Sequence, residues 1–410
     1  MARRRHPHSI EHNILMTATL CLLAGGAVMV FSASSARTLL SGQGDGTSFM
    51  VRYVMYGAVG LVLMQIVARR GLDLVLRLTG PLLALSFAAL VLVKLPGFGV
   101  SVNGARRWLG AGPLVFQPSE VMKLALVLYA AKMLAERPKL LRRWQNLVPF
   151  GAVAGSAVLL IASQPDLGTS LVICFTMAAM LVAAGMPMRW LGTATGFGGL
   201  MVLLYAMSAA YRRDRLMTFL DPWAHVGNEG YQAVQGQIAL GSGRLLGVGL
   251  GQSQQKNLFL PEAHTDFILA IVGEELGAVG VCGLLFLYGL VAYAGLRVAR
   301  NARGTYAKLL AAGITSLFLS QALLNVFTVL GLAPLTGVPL PFISYGSTNL
   351  IVLLVGMGLL LNVASGGNVK LQAVPDVSGS RRDGSNDPDR RRRNGGARGA
   401  GAGRRRRLAG

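Results

Sequence analysis

Long apolar runs follow one another along this chain, separated by shorter polar segments. A run of about 20 apolar residues is long enough to cross ~30 Å of hydrocarbon as an α-helix. The runs are continuous rather than alternating, which favours helices over the strands of a membrane barrel. The pattern therefore predicts an all-α membrane protein with ten transmembrane helices, at approximately residues 14–33, 51–68, 74–93, 117–134, 147–163, 168–185, 189–209, 266–296, 306–331 and 344–363.

Composition and charge agree with a membrane location. Of the 410 residues, 53% are hydrophobic and only 14% are charged, whereas a soluble domain has about 25% charged residues. A soluble protein with a net charge of +22 would suggest a nucleic-acid ligand. Here the basic residues concentrate at the termini and between apolar runs, so we predict attraction to anionic lipid and no nucleic-acid partner.

The basic connections predict the orientation. Connections 135–146 and 297–305 are rich in Arg and Lys, and such loops stay in the cytoplasm. Because ten is an even number, both termini share that side. Loop 210–265, between the seventh and eighth helices, is then extracytoplasmic, and its aromatic and glycine-rich sequence predicts a large, ordered loop.

The chain is accordingly predicted to have three parts. A basic cytoplasmic N-terminus covers residues 1–13, the membrane domain covers 14–364, and a basic cytoplasmic tail covers 365–410. The tail is rich in Gly, Arg, Ser and Asp, a composition typical of disorder.

A cluster of ionisable residues precedes the eighth apolar run. Glu262, His264 and Asp266 lie at its edge, where a charge is tolerated if it faces water or a polar partner. Asp266 has two interpretations. It could cap the helix that begins near Phe267, or it could act as a general base with a pKa raised by partly dry surroundings. Ser344 and Tyr345, at the outer end of the tenth run, are candidates for one wall of a substrate cavity.

A second cluster leads into the fourth apolar run. Arg107 and Lys123 could clamp a phosphate or pyrophosphate group. Alternatively, Arg107 anchors the chain at the interface, and Lys123 pairs with Glu120 on the same helix face. Gln117 and Ser119 belong to this cluster as substrate-binding candidates.

Several other kinds of site find no support in the sequence. The cysteines and histidines lack the spacing of a metal site. The glycine-rich run 241–251 lacks the G-x-G-x-x-G pattern of a dinucleotide site. Asp166, in the turn between the fifth and sixth runs, is predicted to cap the sixth helix.

Six motifs occur in order along the chain: Asn103-Gly104 to Leu109, Gln117 to Glu120 with Lys123, Gln164 to Thr169, Pro261 to Phe267, Gly273 to Gly277 and Pro341 to Gly346. Together they resemble the SEDS (shape, elongation, division and sporulation) family, which includes FtsW, RodA and SpoVE. The resemblance covers about residues 14–364, and the details favour the division branch over the elongation branch. One departure is Ser347, where the family usually has a glycine.

The resemblance implies a peptidoglycan glycosyltransferase of the bacterial inner membrane. Such an enzyme polymerises lipid II at the outer face, together with a class B penicillin-binding protein and other divisome proteins. By motif, Asp266 matches the family's essential acid, and Arg107, Glu120 and Lys123 match its polar cavity residues. A divalent cation, Mg²⁺ or Mn²⁺, could assist the leaving pyrophosphate, although the sequence offers no ligand set for it.

Three rival functions remain open at this point. A lipid II flippase would need the same anion clamp but no base. An elongation polymerase of the RodA type would carry out the same chemistry in another process. A scaffold that only recruits partners would not need ionisable residues clustered at membrane depth.

Overall fold

The computed structural model describes residues 9–40, 46–102, 105–111, 114–142, 144–207, 218–227, 230–257 and 259–367. Most of these residues are helical. The predicted N-terminal segment before residue 9, the tail from 368 onward and the motif residues Asn103 and Gly104 lie outside the described residues. The α-helices are α1 (Ile10–Leu40), α2 (Ser48–Arg69), α3 (Leu72–Lys94), α4 (Pro118–Glu136), α5 (Val148–Ala162), α6 (Leu167–Ala183), α7 (Met188–Met207), α8 (Tyr231–Ser242), α9 (Ile268–Asn301), α10 (Thr305–Val329) and α11 (Ser347–Ala364).

Seven segments among the described residues are long and apolar enough to span a membrane. These segments coincide largely with α1, α2, α3, α5, α9, α10 and α11. Helices α4 and α7 overlap other predicted spans, and α6 is a shorter apolar helix of 17 residues. The chain is therefore a multi-pass membrane protein, and the count of ten spans remains a prediction.

The expectation of helices alone was incomplete, because a small sheet lies between α3 and α4. Strands β1 (Gly99–Val102), β2 (Ala105–Ala111) and β3 (Leu114–Phe116) pair antiparallel in the order β1-β2-β3. Valines, a tryptophan and a phenylalanine in these strands fit a pleated surface well. The strands are three to seven residues long, too short to register in a search for membrane-spanning runs.

Helices α10 and α11 form the centre of the bundle. Both are largely buried, whereas α2, α3 and α5 expose many large apolar side chains. A helix that is apolar on all sides belongs inside a bundle, and exposed apolar faces on the outer helices suit contact with lipid. Most residues carried by α10 are thus shielded from lipid by the helices around them, although Leu323 and Phe327 are exposed.

Helix α9 is interrupted at Gly277, about one third of the way from its N-terminal end. This residue has φ 67° and ψ −166°, a combination that is essentially restricted to glycine. A Cβ atom added there would lie 2.4 Å from the amide nitrogen of Gly247. Both backbone conformation and packing therefore require glycine at this position.

The glycine-rich run 241–251 fills the interruption. The amides of Val248 and Gly249 donate to the carbonyls of Glu274 and Glu275 at 2.9 and 3.1 Å. On the other side of the break, the amide of Ala278 donates to a carbonyl of the same run, that of Arg244, at 2.9 Å. An interrupted helix leaves backbone groups without hydrogen-bond partners. The glycine-rich run supplies those partners.

Candidate active site

Asp266 lies in the turn that leads into α9, and its side chain is half-buried. It does not cap the helix. The N-cap position is Phe267, which makes no side-chain capping bond. The hydroxyl of Thr265 lies 3.2 Å from Asp266 Oδ1 and 3.1 Å from Glu262 Oε2. The local structure thus favours the acid–base interpretation over the capping one.

The protonation state of Asp266 is set by this environment. Burial of the carboxyl group, followed by the negative charge of Glu262, raises the pKa of Asp266 from 3.8 to about 7. The hydroxyl of Thr265 has one proton and cannot donate to both carboxylates at once. The Thr265 hydroxyl also lies 3.0 Å from the main-chain oxygen of Glu262, so a bond to Asp266 Oδ1 is one of three alternatives for its single proton.

The main chain of Asp266 is held from α10. Asn325 Nδ2 donates to the carbonyl oxygens of Asp266 and Val338, both at 2.7 Å. One turn away, Gln321 Nε2 donates to the carbonyl of Pro339 at 2.9 Å. Both amides are buried, with 1% and 0% of their surfaces exposed. These two residues were not predicted from the sequence. Polar side chains four positions apart in an otherwise apolar run were the signal for them.

Lys123 is buried in α4 and has two polar partners. Its ammonium lies 2.9 Å from Glu120 Oε2 and donates to Gln321 Oε1 at 2.8 Å. The ion pair proposed as the alternative to an anion clamp is therefore present. The bond to Gln321 also connects Lys123 to α10, where Asn325 contacts Asp266. Among the described residues, no direct bond joins Lys123 to Asp266.

Gln117, Ser119 and Arg107 gather around the turn between α5 and α6. Gln117 Nε2 and Ser119 Oγ lie 3.3 and 3.4 Å from Asp166 Oδ2. The other oxygen of Asp166 accepts from the amide of Thr169 at 3.2 Å, which confirms the predicted cap of α6. Arg107 donates from Nε to the carbonyl of Gln164 at 2.9 Å and from a terminal nitrogen to that of Pro165. These bonds use two of the five donors of the guanidinium group.

His264 and Tyr345 form an aromatic group on the other side of the turn. The His264 ring lies 4.6 Å from that of Phe49 and 6.0 Å from that of Tyr345. The Tyr345 amide donates to the His264 carbonyl at 3.0 Å. Ser344 stabilises the local backbone, because its hydroxyl accepts a hydrogen bond from the amide of Leu340 at 2.8 Å. The segment before α11 is thus joined to the turn that holds Asp266.

The two glutamates further along α9 belong to a separate structural cluster. Glu275 pairs with Lys256 at 3.1 Å and accepts from the hydroxyl of Ser32 at 2.6 Å. Glu274 accepts from the hydroxyl of Ser253 and from the amide of Gln254. They tie the loop before α9 to α1 and α9, so they do not share a site with Asp266.

The described residues contain no group of three or more His, Cys, Asp and Glu side chains arranged to hold a metal ion. Glu262 and Asp266 supply two neighbouring carboxylates. Mg²⁺ is commonly held by one or two carboxylates together with substrate phosphates. A divalent cation held there would take its remaining ligands from water or from the phosphates of a bound molecule.

The fold and these groups define a class of protein: a multi-pass membrane protein with an ionisable site at one end of its helix bundle. The family model of the cell cycle proteins FtsW, RodA and SpoVE matches residues 12–368. The chain belongs to this family.

Relatives of known name support the assignment. Stage V sporulation protein E of Bacillus subtilis is 38% identical over 357 residues, which cover 86% of this chain and 96% of that protein. The probable peptidoglycan glycosyltransferase FtsW of Alcanivorax borkumensis is 40% identical over 368 residues, covering 87% of this chain and 93% of that protein.

Solved structures agree on the fold. The rod shape determining protein RodA of Thermus thermophilus matches with a TM-score of 0.64 and 29% identity, over 87% of this chain and 97% of that one. A chain described under "Structural coordination of polymerization and crosslinking by a peptidoglycan synthase complex" matches with a TM-score of 0.70 and 30% identity, over 85% and 96% of the two chains.

Proposed function

We propose that this protein is a peptidoglycan glycosyltransferase that polymerises lipid II at the outer face of the bacterial cytoplasmic membrane. Its role would be septal wall synthesis during cell division. Membership of the family and relatives named as FtsW and Stage V sporulation protein E support this proposal. The observation that carries the chemistry is the half-buried carboxyl group of Asp266, whose pKa is raised to about 7.

The reaction requires the removal of a proton. The 4-hydroxyl of the acceptor sugar attacks the anomeric carbon of the donor, and the bond from that carbon to the pyrophosphate oxygen breaks. Asp266 takes the hydroxyl proton as general base, and a base with a pKa near the working pH is well suited to this step. Direct displacement of this kind inverts the configuration at the donor carbon.

The leaving pyrophosphate requires positive charge. Arg107 has guanidinium donors beyond the two that bind carbonyls, and Lys123 offers a buried ammonium. Donors already aimed at the place where charge develops need no reorganisation during the reaction. We assign these two residues to the leaving group and Glu120 to holding Lys123 in place.

The length of α9 supports the proposed outer location. Its last turns carry Arg297 and Arg300, which the positive-inside rule places in the cytoplasm. About 20 helical residues cross the hydrocarbon core, and counting back from Arg297 reaches Gly277. Asp266 then lies beyond the hydrocarbon on the outer side, where the sugars of a lipid-linked substrate would be found. In this arrangement both termini are cytoplasmic.

Polymerisation of lipid II by the purified protein tests the base assignment. We expect Asp266→Asn to lower the rate by about 10²–10⁴-fold, the usual contribution of a general base. Asp221→Asn is the matched control, because exposed Asp221 accepts one backbone amide at 3.2 Å and an asparagine can do the same. Glycan strands formed at the wild-type rate by folded Asp266→Asn would refute the base assignment.

The same assay separates the polymerase from a lipid II flippase. A flippase would move labelled lipid II across proteoliposomes without forming polymer, and its transport would survive the change at Asp266. Addition of a class B penicillin-binding protein tests the proposed partner, since a functional pair should polymerise faster than the isolated protein. A polymerisation rate that is unchanged by the class B penicillin-binding protein would argue against that partnership.

A further inference from the structure

Three polar side chains form a stripe along one face of α10. Gln321, Asn325 and Thr328 are separated by four and three positions, which places them on one side of a helix. All three are buried, with exposures of 0%, 1% and 5%. Burial of polar groups in an apolar bundle is costly unless they are hydrogen-bonded. We call these residues the α10 polar stripe.

The stripe holds the segment 334–339 at three points. Gln321 donates to Pro339 O at 2.9 Å and Asn325 donates to Val338 O at 2.7 Å. Thr328 Oγ1 lies 3.3 Å from the carbonyl oxygen of Pro334. Pairing with this segment is one function of the stripe, and all three members share it.

Two members of the stripe do more than this. Asn325 also donates to the carbonyl of Asp266 at 2.7 Å, and Gln321 also accepts from Lys123 at 2.8 Å. One helix therefore contacts both proposed catalytic groups: Asn325 binds the residue proposed as general base, Asp266, and Gln321 binds the ammonium of Lys123. Four residues of helix rise about 6 Å, so α10 acts as a rigid spacer between these contacts.

We propose that Asn325 and Gln321 are positioning residues, which set the place of Asp266 relative to Lys123 for the transfer reaction. This inference rests on the proposed function. Asn325 binds Asp266 through the backbone carbonyl and occupies neither carboxylate oxygen, while Oδ1 lies 3.2 Å from Thr265 Oγ1. A neutral amide also fixes the turn without adding a charge beside the base.

The effect should fall on turnover rather than on substrate binding. A displacement of about 1 Å at a reacting group can cost ~10²-fold in rate. In the full-length protein we expect Asn325→Ala to lower kcat for lipid II by about 10- to 100-fold and to leave KM nearly unchanged. Asn325→Ser keeps one hydroxyl donor and should recover part of the lost kcat.

Thr328→Val is the matched control for a purely structural role. It removes a stripe contact with segment 334–339 but touches neither Asp266 nor Lys123. We expect it to lower the melting temperature while retaining kcat. A loss of kcat in Thr328→Val equal to that in Asn325→Ala, at equal melting temperature, would overturn the positioning role.

A double variant tests whether Asn325 acts through Asp266. If it does, adding Asn325→Ala to Asp266→Asn should cause little further loss, because the two changes remove the same contribution. A full multiplicative loss in the double variant would overturn the inference. If Asn325→Ala cannot be purified, Asn325→Leu decides the question, because leucine has a similar volume and no hydrogen-bond donor; a wild-type kcat in that variant would also overturn the inference.

The two proposals fail in different ways. Absence of polymer from the purified wild-type protein would refute the proposed function, and wild-type polymerisation by Asp266→Asn would refute the general base. Wild-type kcat in Asn325→Ala, when Asp266→Asn is inactive, would refute the positioning role alone.

Discussion

Replacement of Asp266 by asparagine should stabilise the folded protein, and more so at alkaline than at acidic pH. The change keeps the shape of the side chain and removes its ionisation. In the folded protein the pKa of Asp266 is about 7, compared with an ordinary value of 3.8. Ionisation of Asp266 therefore costs free energy in the folded protein. Asparagine does not ionise and avoids this cost.

The sign and pH range follow from linkage. A raised pKa means that the stabilising contribution of Asp266 is complete below about pH 4, declines as the pH rises, and is lost above about pH 7. Three pKa units correspond to about 4 kcal/mol in the free energy of unfolding. Because the side chain is only half-buried, solvent screening reduces this value by roughly half.

Thermal unfolding in detergent at pH 5 and pH 8 measures the effect. The stability difference between Asp266→Asn and the wild type should be about 1–3 kcal/mol larger at pH 8 than at pH 5. Asp221→Asn, a change at an exposed position, should show no such dependence. An equal difference at both pH values for Asp266→Asn would refute the reasoning about the raised pKa.

The activity of the wild-type enzyme should follow the same ionisation. Only the carboxylate form of Asp266 can accept a proton, so the polymerisation rate should fall as the pH drops through about 7. Lys123→Ala should lower the free energy of unfolding by about 3–5 kcal/mol, because it leaves Glu120 buried without its cation. The pair Glu120→Gln with Lys123→Met should regain stability in a melting assay but not polymerisation, and full activity would show Lys123 to be purely structural. Gly277→Ala should cost at least about 1–3 kcal/mol in a melting assay, because alanine is strained in that backbone conformation, and an unchanged melting temperature would contradict the break in α9.

The helices could be predicted well because a membrane span is a local property of the chain. The eighth run was predicted at about 266–296, and α9 covers Ile268–Asn301. The family resemblance singled out Asp266, and its role as general base stays a prediction. Boundaries differed where helices continue past the apolar run, as in α1, which covers Ile10–Leu40 where the run predicted 14–33.

Partnerships between polar groups were much harder to predict. Glu274 and Glu275 lie close to Asp266 in sequence, yet Glu275 pairs with Lys256 and the hydroxyl of Ser32. The break at Gly277 was not foreseen either, because a glycine in an apolar run has no special meaning until another segment packs against it.

The amino-acid sequence by itself determined that this is a helical membrane protein of a recognisable family with an acidic residue at the edge of one span. The energy that drives this choice comes from apolar length, which can be summed along the chain. The tertiary structure alone decided that Asn325 holds Asp266, that Gln321 reaches Lys123 and that burial raises the pKa of Asp266. Hydrogen bonding and desolvation depend on distances of a few ångströms between residues far apart in sequence, and only the folded chain establishes those distances.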